Sequence, residues 1–395
     1  MKNNILPFIK LNYSKNIFLS VLFSLLTFSN LFAQDGQKDG INSNETDGHL
    51  DIEHVDEDKF DITEMINHHI LDSHEWHLFT TVDENKEEHH YSIPLPLIVY
   101  TNGQFDVFMS SEFHHAPIKT VEIPNEKVTA GHDNTRAVLT KGQYNYILDH
   151  EHVKVVDNNG KLIEDIHPLD LSITKNVASM MIASLLLLVI GFSIAGAYKK
   201  REGQAPKGMQ SFFEPIIVYL RDDLAIPNIG EHKYKKYFPY LLTLFFFIWF
   251  NNLLGLLPSG ANTSGNIAFT MTLAALTLII TNVSANKHYW KHVFAMPGVP
   301  IPLLLIMIPV EIIGIFTKPI ALMIRLFANI TAGHTIILAL IGIIFIFKNY
   351  ILGVPIVPFV FLMMCLELFV ALLQAYIFTL LTALFIGQAI ADDHH

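Results

Sequence analysis

Long runs of apolar residues alternate with short basic clusters over the second half of the chain, and this pattern predicts membrane-spanning helices. Asn176 to Ala197 is the first run, followed at once by Lys199, Lys200, Arg201 and Lys207. Phe238 to Leu257 is the second, preceded by Lys233, Lys235 and Lys236, and Ile267 to Val283 is the third, followed by Lys287 and Lys291. Each is close to the ~20 residues a helix needs to cross hydrocarbon. Basic flanks stay in the cytoplasm, so all three clusters predict one side and put the segment before Asn176 on the other. Between the first two runs, Phe212, Phe213, Ile216, Ile217, Leu220 and Leu224 recur at three- and four-residue spacing, with Arg221, Asp222 and Asp223 off that face. That reads as an amphipathic helix on the cytoplasmic surface.

Two further apolar stretches, roughly Pro302 to Phe347 and Ile351 to Ala391, are too long for single upright spans. At 1.5 Å per residue each would run ~60 Å or more, about twice the hydrocarbon thickness. The pattern alone leaves two short spans or one steeply tilted helix open, and Pro309, Pro319, Pro355 and Pro358 can kink either version.

The first half reads differently. Lys2, Lys10 and Lys15 precede the apolar run Ile17 to Phe32 and then Ala33-Gln34, the layout of a secretory signal peptide cut after Ala33. Residues 34–60 are acidic with few large apolar groups and are expected to form a flexible arm. From Trp76 to about Pro168 short β-rich runs return: Tyr91 to Tyr100, the hairpin signal Asn102-Gly103, Phe105 to Met109, and Val153 to Val156 before Asn158-Asn159-Gly160. A small extracytoplasmic β domain over 61–172 follows, with a membrane domain over 173–395.

Composition agrees with this division. The 395 residues are 51% hydrophobic, and the mean hydropathy is +0.36. Asp35 to Asp170 holds 28 of the 37 acidic residues and 9 of the 26 basic ones, a net of −19, so the remainder carries +8. The acidic balance thus belongs to the exported segment, and no nucleic-acid partner is expected. Cys365, the one cysteine, lies in a C-terminal apolar stretch, so the exported segment holds itself together by packing or partners. Fourteen of the 20 histidines fall between His49 and His167, including His68-His69, His89-His90 and His114-His115. Their spacing fits no zinc signature, and neither a metal nor a cofactor is expected.

The chemistry is concentrated in the run Lys318 to His334, where Arg325 stands among apolar residues. A guanidinium does not release its proton, and placing one in a bilayer costs at least ~3 kcal/mol on translocon scales. Such a residue is suited to attracting a mobile carboxylate or to blocking a cation path. Glu311, Lys318 and Arg325 are seven apart and share one helical face, with Asn329 near it. His334, nine residues beyond Arg325, points about 180° away and is expected to meet a different partner. Glu367 and Gln374, also seven apart, share a face of the last helix. A carboxylate and an imidazole on adjacent helices can pass a proton between them, or can simply form a buried pair that locks the helices.

Arg325-Leu326-Phe327-Ala328-Asn329 with Ala332-Gly333, Glu367, Gln374-Ala375-Tyr376, and Phe378-Thr379-Leu380-Leu381 resembles subunit a of bacterial F-type ATP synthase. Asn252, Leu256-Leu257-Pro258, Glu311 and Lys318 extend the resemblance, which covers about 175–395. It implies a mainly α membrane protein of about five membrane helices, the last two long, tilted and wrapped against a rotating ring of c subunits. The fold is completed by the cytoplasmic amphipathic helix and the β-rich N-terminal extension. It further implies a stator subunit with two proton half-channels, no catalytic nucleotide site of its own, and subunit b and the rest of the complex as partners. The expected location is the cell inner membrane, with the extension periplasmic, the C-terminus cytoplasmic and lipid around the helices. Proton translocation is then carried by Arg325, Asn329, His334, Glu367, Gln374 and Glu311. Two departures stand out: His334 and Glu367 exchange the types usual at these positions, and Gly255 stands where some members have an aspartate. A secondary ion transporter would show internal repeats, and none is visible; sodium in place of protons stays open.

Overall fold

The computed structural model describes residues 72–82, 88–121, 135–149, 151–163, 165–201, 203–257, 260–296, 300–347 and 350–391. The expected signal peptide, the acidic arm and His68-His69 lie outside the described residues. The rest divides into two compact units, one drawn from 71–179 with 257–261 and the other from 180–256 with 262–395.

The first unit carries β1 (Glu75–Val82), β2 (Glu88–Pro94), β3 (Pro96–Thr101), β4 (Gln104–Met109), β5 (Ile118–Thr120), β6 (Thr135–Ala137), β7 (Leu139–Lys141), β8 (Tyr144–Asp149), β9 (His152–Val156) and β10 (Leu169–Asp170). They pair antiparallel in the orders β1-β2, β10-β3-β4, β5-β6 and β7-β8-β9. The Asn102-Gly103 signal closes β3 on β4 because both residues adopt positive φ, +45° and +95°, which suits the twist of a two-residue hairpin. Period-two burial along β3 sends Leu97 and Val99 into a core with Phe108, Phe113, Tyr146, Val153 and Val155. Inside it the Tyr146 hydroxyl donates to Asp106 at 2.7 Å, so the phenol adds packing without stranding its polar tip.

An acidic network closes this unit onto the first turn of α1 (Lys175–Lys200). Asp72 accepts from the Asn176 amide at 3.0 Å and from the Thr174 hydroxyl at 2.8 Å, so a carboxylate sits at a helix N-terminus where the dipole favours it. Beside it the buried His74 ring pairs with Asp170 at 2.9 Å and with Glu151 at 3.6 Å. Burial opposes the imidazolium charge, but the hydrogen-bonded carboxylates outweigh it and hold His74 at about 9. Among the described residues, no group of three or more His, Cys, Asp or Glu is arranged to hold a metal ion.

The second unit holds most of α1, then α2 (Met209–Tyr219), α3 (Tyr234–Gly255), α4 (Ile267–Ser284), α5 (Lys287–Phe294), α6 (Ile301–Phe347) and α7 (Gly353–Ile390). Five of these, α1, α3, α4, α6 and α7, are long and apolar enough to cross a membrane. The two long stretches are thus single helices of 47 and 38 residues, with Pro309, Pro319 and Pro358 inside them. The amphipathic helix covers the whole stretch that the periodicity suggests, but it is not α-helical throughout. After Tyr219 it widens into a π-helical turn, Leu220–Ala225, which buries Leu220 and Leu224 and leaves Arg221 paired with Asp222. The eight-residue α5 is not announced by the sequence, because its apolar content is too low for a span.

Polar contacts fix the helices against each other. Asn266 caps α4 by accepting from the Ala268 amide at 2.9 Å. The end of α7 receives donors from two directions, Lys233 Nζ at 2.8 Å and Asn286 Nδ2 at 2.9 Å, both on the Ile390 carbonyl. Gly387 lets α7 approach the single helical turn Ile226–Ile229 so closely that a Cβ would stand 1.8 Å from the Asn228 carbonyl oxygen.

Candidate functional site

The sequence-derived residues fall into three places along α6. Nearest its end lies His334, whose Nδ1 is 3.8 Å from Oε1 of Glu367 on α7. The spacing thus brings together the imidazole and the carboxylate that the sequence pairs. Glu367 is 6% exposed, and its Oε1 has no hydrogen-bond partner among the described residues. At 3.8 Å the contact is longer than a hydrogen bond, so this buried carboxylate oxygen stays uncompensated, a costly state in a packed helix pair. Gly333 makes the approach feasible: a Cβ there would lie 3.1 Å from Oε1 and 3.3 Å from Cδ of Glu367.

Arg325 and Asn329 occupy the opposite, exposed face of α6, as a regular helix dictates. Neither Glu367 nor His334 is paired with Arg325. Gln374 is buried, one and two turns along α7 from Ala371 and Glu367. Asn252 of α3 donates to the Ala371 carbonyl at 3.0 Å and accepts from Ser264 at 2.5 Å, tying the α7 backbone between these two side chains to α3.

The third place lies toward the start of α6. Lys318 Nζ donates to Gln388 Oε1 at 3.2 Å and sits over the Phe385 ring at 5.5 Å. A small cavity here is lined by Thr277, Thr281, Asn282, Tyr289, Lys318 and Gln388. Glu311 is half-buried close by, and its charge, after burial, pushes the Tyr289 phenol above its ordinary value. At 1.5 Å per residue, Arg325 stands about 10 Å along the helix from Lys318 and about 14 Å from His334, between two polar clusters.

Several participants are absent from the sequence reading. Gln388 continues the series of Glu367 and Gln374 at intervals of seven and fourteen, a signal that could have found it. Tyr240, Thr277 and Thr382 link three helices through contacts of 3.2 and 3.4 Å. Threonine in a membrane helix also satisfies its own backbone, as Thr379 does on Ala375, so nothing in the sequence separates these roles.

Residues 177–387 match the family described as ATP synthase A chain. Residues 65–171 match a family described only as a domain of unknown function. The chain is 51% identical over 234 residues to "ATP synthase subunit a 2" of Chlorobaculum tepidum, covering 57% of this chain and 66% of that one. It is 48% identical over 230 residues to "ATP synthase subunit a" of Chloroherpeton thalassium, 57% of this chain and 69% of the relative. The chain therefore spans about two thirds of the length of these relatives. With "ATP synthase subunit a" of Pelodictyon phaeoclathratiforme, 44% identity extends over 314 residues, 76% of this chain and 92% of the relative. A family match over more than half the chain, and a relative covered almost throughout, establish that this multi-pass membrane protein belongs to the F-type ATP synthase subunit a family.

Proposed function

We propose that this chain is the stator of a proton-translocating membrane sector, holding two half-channels against a ring of c subunits and anchored with subunit b. The observation that carries the reading is the position of Arg325 on α6 between two separate polar clusters where α6 meets α7, Glu367 with His334 on one side and Glu311, Lys318 and Gln388 on the other. A proton enters from the extracytoplasmic side and passes through Glu367 and His334 and by Asn329. It then neutralises a ring carboxylate that has just left Arg325. The neutral site can enter lipid, and the ring turns. After nearly a full revolution the proton leaves by the cluster at Glu311. Arg325 holds the empty carboxylate and, keeping its own proton, bars a direct leak. Gln374 lines the same passage. Each charge that crosses is worth ~2.3 kcal/mol per 100 mV, so several must accumulate for one ATP made on the catalytic subunits elsewhere in the complex.

The exposed faces of α6 and α7 support a macromolecular partner there, since Arg325 and Asn329 share theirs with Ile336. The basic clusters after α1 and before α3 favour an inner-membrane topology with the extension periplasmic and the C-terminus cytoplasmic. The test is Arg325→Ala in the assembled complex. Membranes stripped of the soluble head are expected to conduct protons passively, while ATP-driven acidification and synthesis vanish. Retained coupled pumping would overturn the assignment. Performing the measurement with and without sodium separates protons from sodium as the coupling ion.

A further inference from the structure

A cavity of about 230 Å³ opens between the last turns of α1 and the first turn of α2. Three cations line it, Lys200, Arg201 and Lys207, together with Met209 and Gln210 at the N-terminus of α2. Gly208, at φ +64°, turns the chain into α2 without supplying a side-chain cap, so the first amides of the helix lack that partner and add their dipole to the positive cluster. Gln210 is 4% exposed and lines the same cavity, yet its Oε1 has no hydrogen-bond partner among the described residues. Its Nε2 reaches Glu214 at 3.4 Å, and the same amide lies against the Tyr198 hydroxyl. Three cations around one cavity, beside the uncapped start of a helix, fit a ligand that brings negative charge.

The walls say where the rest of that ligand lies. Ser193, Gly196 and Ala197 form the α1 side of the cavity, and a Cβ on Gly196 would meet nothing within 4 Å. Val189 and Phe192 continue the same helical stripe toward the middle of the span and are 60% and 53% exposed. Phe212 of α2 is 62% exposed. A positively charged cavity at a membrane helix end, continuous with an apolar stripe running into the span, has the polarity of one lipid molecule.

We infer that this cavity binds an anionic glycerophospholipid, of which phosphatidylglycerol is the type. The phosphodiester lies among Lys200, Arg201, Lys207 and the α2 amides, where a guanidinium can grip two of its oxygens at once. The acyl chains follow Val189 and Phe192. A choline head would press its own cation against three others, so zwitterionic lipid is disfavoured. Free inorganic phosphate would leave the apolar stripe unused. The inference needs only that α1 spans the membrane, and it stands or falls separately from the half-channel reading.

The test uses the whole complex reconstituted in bilayers that contain phosphatidylglycerol or phosphatidylcholine, each bearing a diazirine in the acyl chain near the glycerol. Photolabelled positions are mapped by peptide mass spectrometry. Label from phosphatidylglycerol is expected to exceed that from phosphatidylcholine roughly tenfold or more within 189–212, given three basic groups at the surface. Joint replacement Lys200→Gln, Arg201→Gln and Lys207→Gln should bring it down to the phosphatidylcholine level, with labelling of α7 unchanged as the internal reference. Should that variant fail to assemble, Lys207→Gln alone is read, and a several-fold drop is expected. Equal labelling by the two lipids, or undiminished labelling in the variant that assembles, would overturn the inference. So would loss of the label on adding millimolar inorganic phosphate, which would make this a free-phosphate site.

Discussion

Gly333 and Glu367 leave no room between them: a methyl on Gly333 would stand 3.1 Å from the Glu367 Oε1 and 3.3 Å from its Cδ. The glycine is what allows a carboxylate on α7 to lie against α6 beside His334. Alanine favours a helix by about 1 kcal/mol over glycine, so Gly333→Ala should not weaken α6. It should instead push the carboxylate by a few tenths of an ångström. Since a 1 Å misplacement can cost about a hundredfold, a loss of roughly threefold to tenfold in proton flux is expected, and Gly333→Leu should abolish it. ATP-driven acidification by complexes of normal subunit content measures this, and unchanged flux in Gly333→Leu would refute it.

His334 and Glu367 should behave as one unit. Each alanine change alone is expected to remove most of the flux, and the two together little more, because a relay missing one member is already broken. Exchanging both residues, His334→Glu with Glu367→His, should recover more activity than either half of the exchange. The double-mutant cycle decides: strictly additive losses would mean that the 3.8 Å contact is incidental.

Gly387→Ala should fail for a structural reason. The new Cβ would meet a backbone oxygen at 1.8 Å and its carbon at 2.9 Å, and no side-chain rotation relieves a clash with backbone. A cost of about 3 kcal/mol or more is expected, read as loss of the subunit from isolated membranes. Gly314→Ala, where nothing lies within 4 Å, is the matched control and should assemble normally.

How far the sequence carried depended on how local each determinant is. The three shorter spans were legible because about twenty apolar residues have one explanation, and the Asn102-Gly103 turn because only a few residue types tolerate its positive φ. The face shared by Arg325 and Asn329 followed from helical arithmetic alone, and so did the opposite orientation of His334. The π-helical turn after Tyr219 did not, since the periodicity of Leu220 and Leu224 suits an uninterrupted helix equally well. Nor did the approach of Gly387 to Asn228 or the link from Lys318 to Gln388, separated by 70 positions, because residues distant in sequence meet only once packing is fixed. Whether two long apolar stretches were two helices or four was also beyond the pattern, which has the same period in both cases.

The N-terminal unit should have a stability set by His74. Its ring lies 2.9 Å from Asp170 and 3.6 Å from Glu151, and its value of about 9 stands above the ordinary 6.5. A group raised in the folded state contributes in full below its unfolded value and loses that contribution as pH rises through the folded one. The unit should therefore weaken between about pH 6.5 and pH 9, by on the order of 3 kcal/mol if the whole shift is expressed. His152 does not confuse this window, because burial first and the Lys154 charge second hold it below its ordinary value. Asp170 is held low against the burial that raises it, by the His74 hydrogen bond, and its contribution is lost only in acid. Hydrogen exchange over β1, β8 and β9 in the intact complex, corrected for intrinsic rates, is the measurement. Protection should fall across this range in the parent protein. His74→Gln should begin less stable, having left Asp170 without its cation, and its corrected protection should be nearly flat across the same range. A parent protein whose protection does not change between those limits would show that the imidazolium does not hold this unit together.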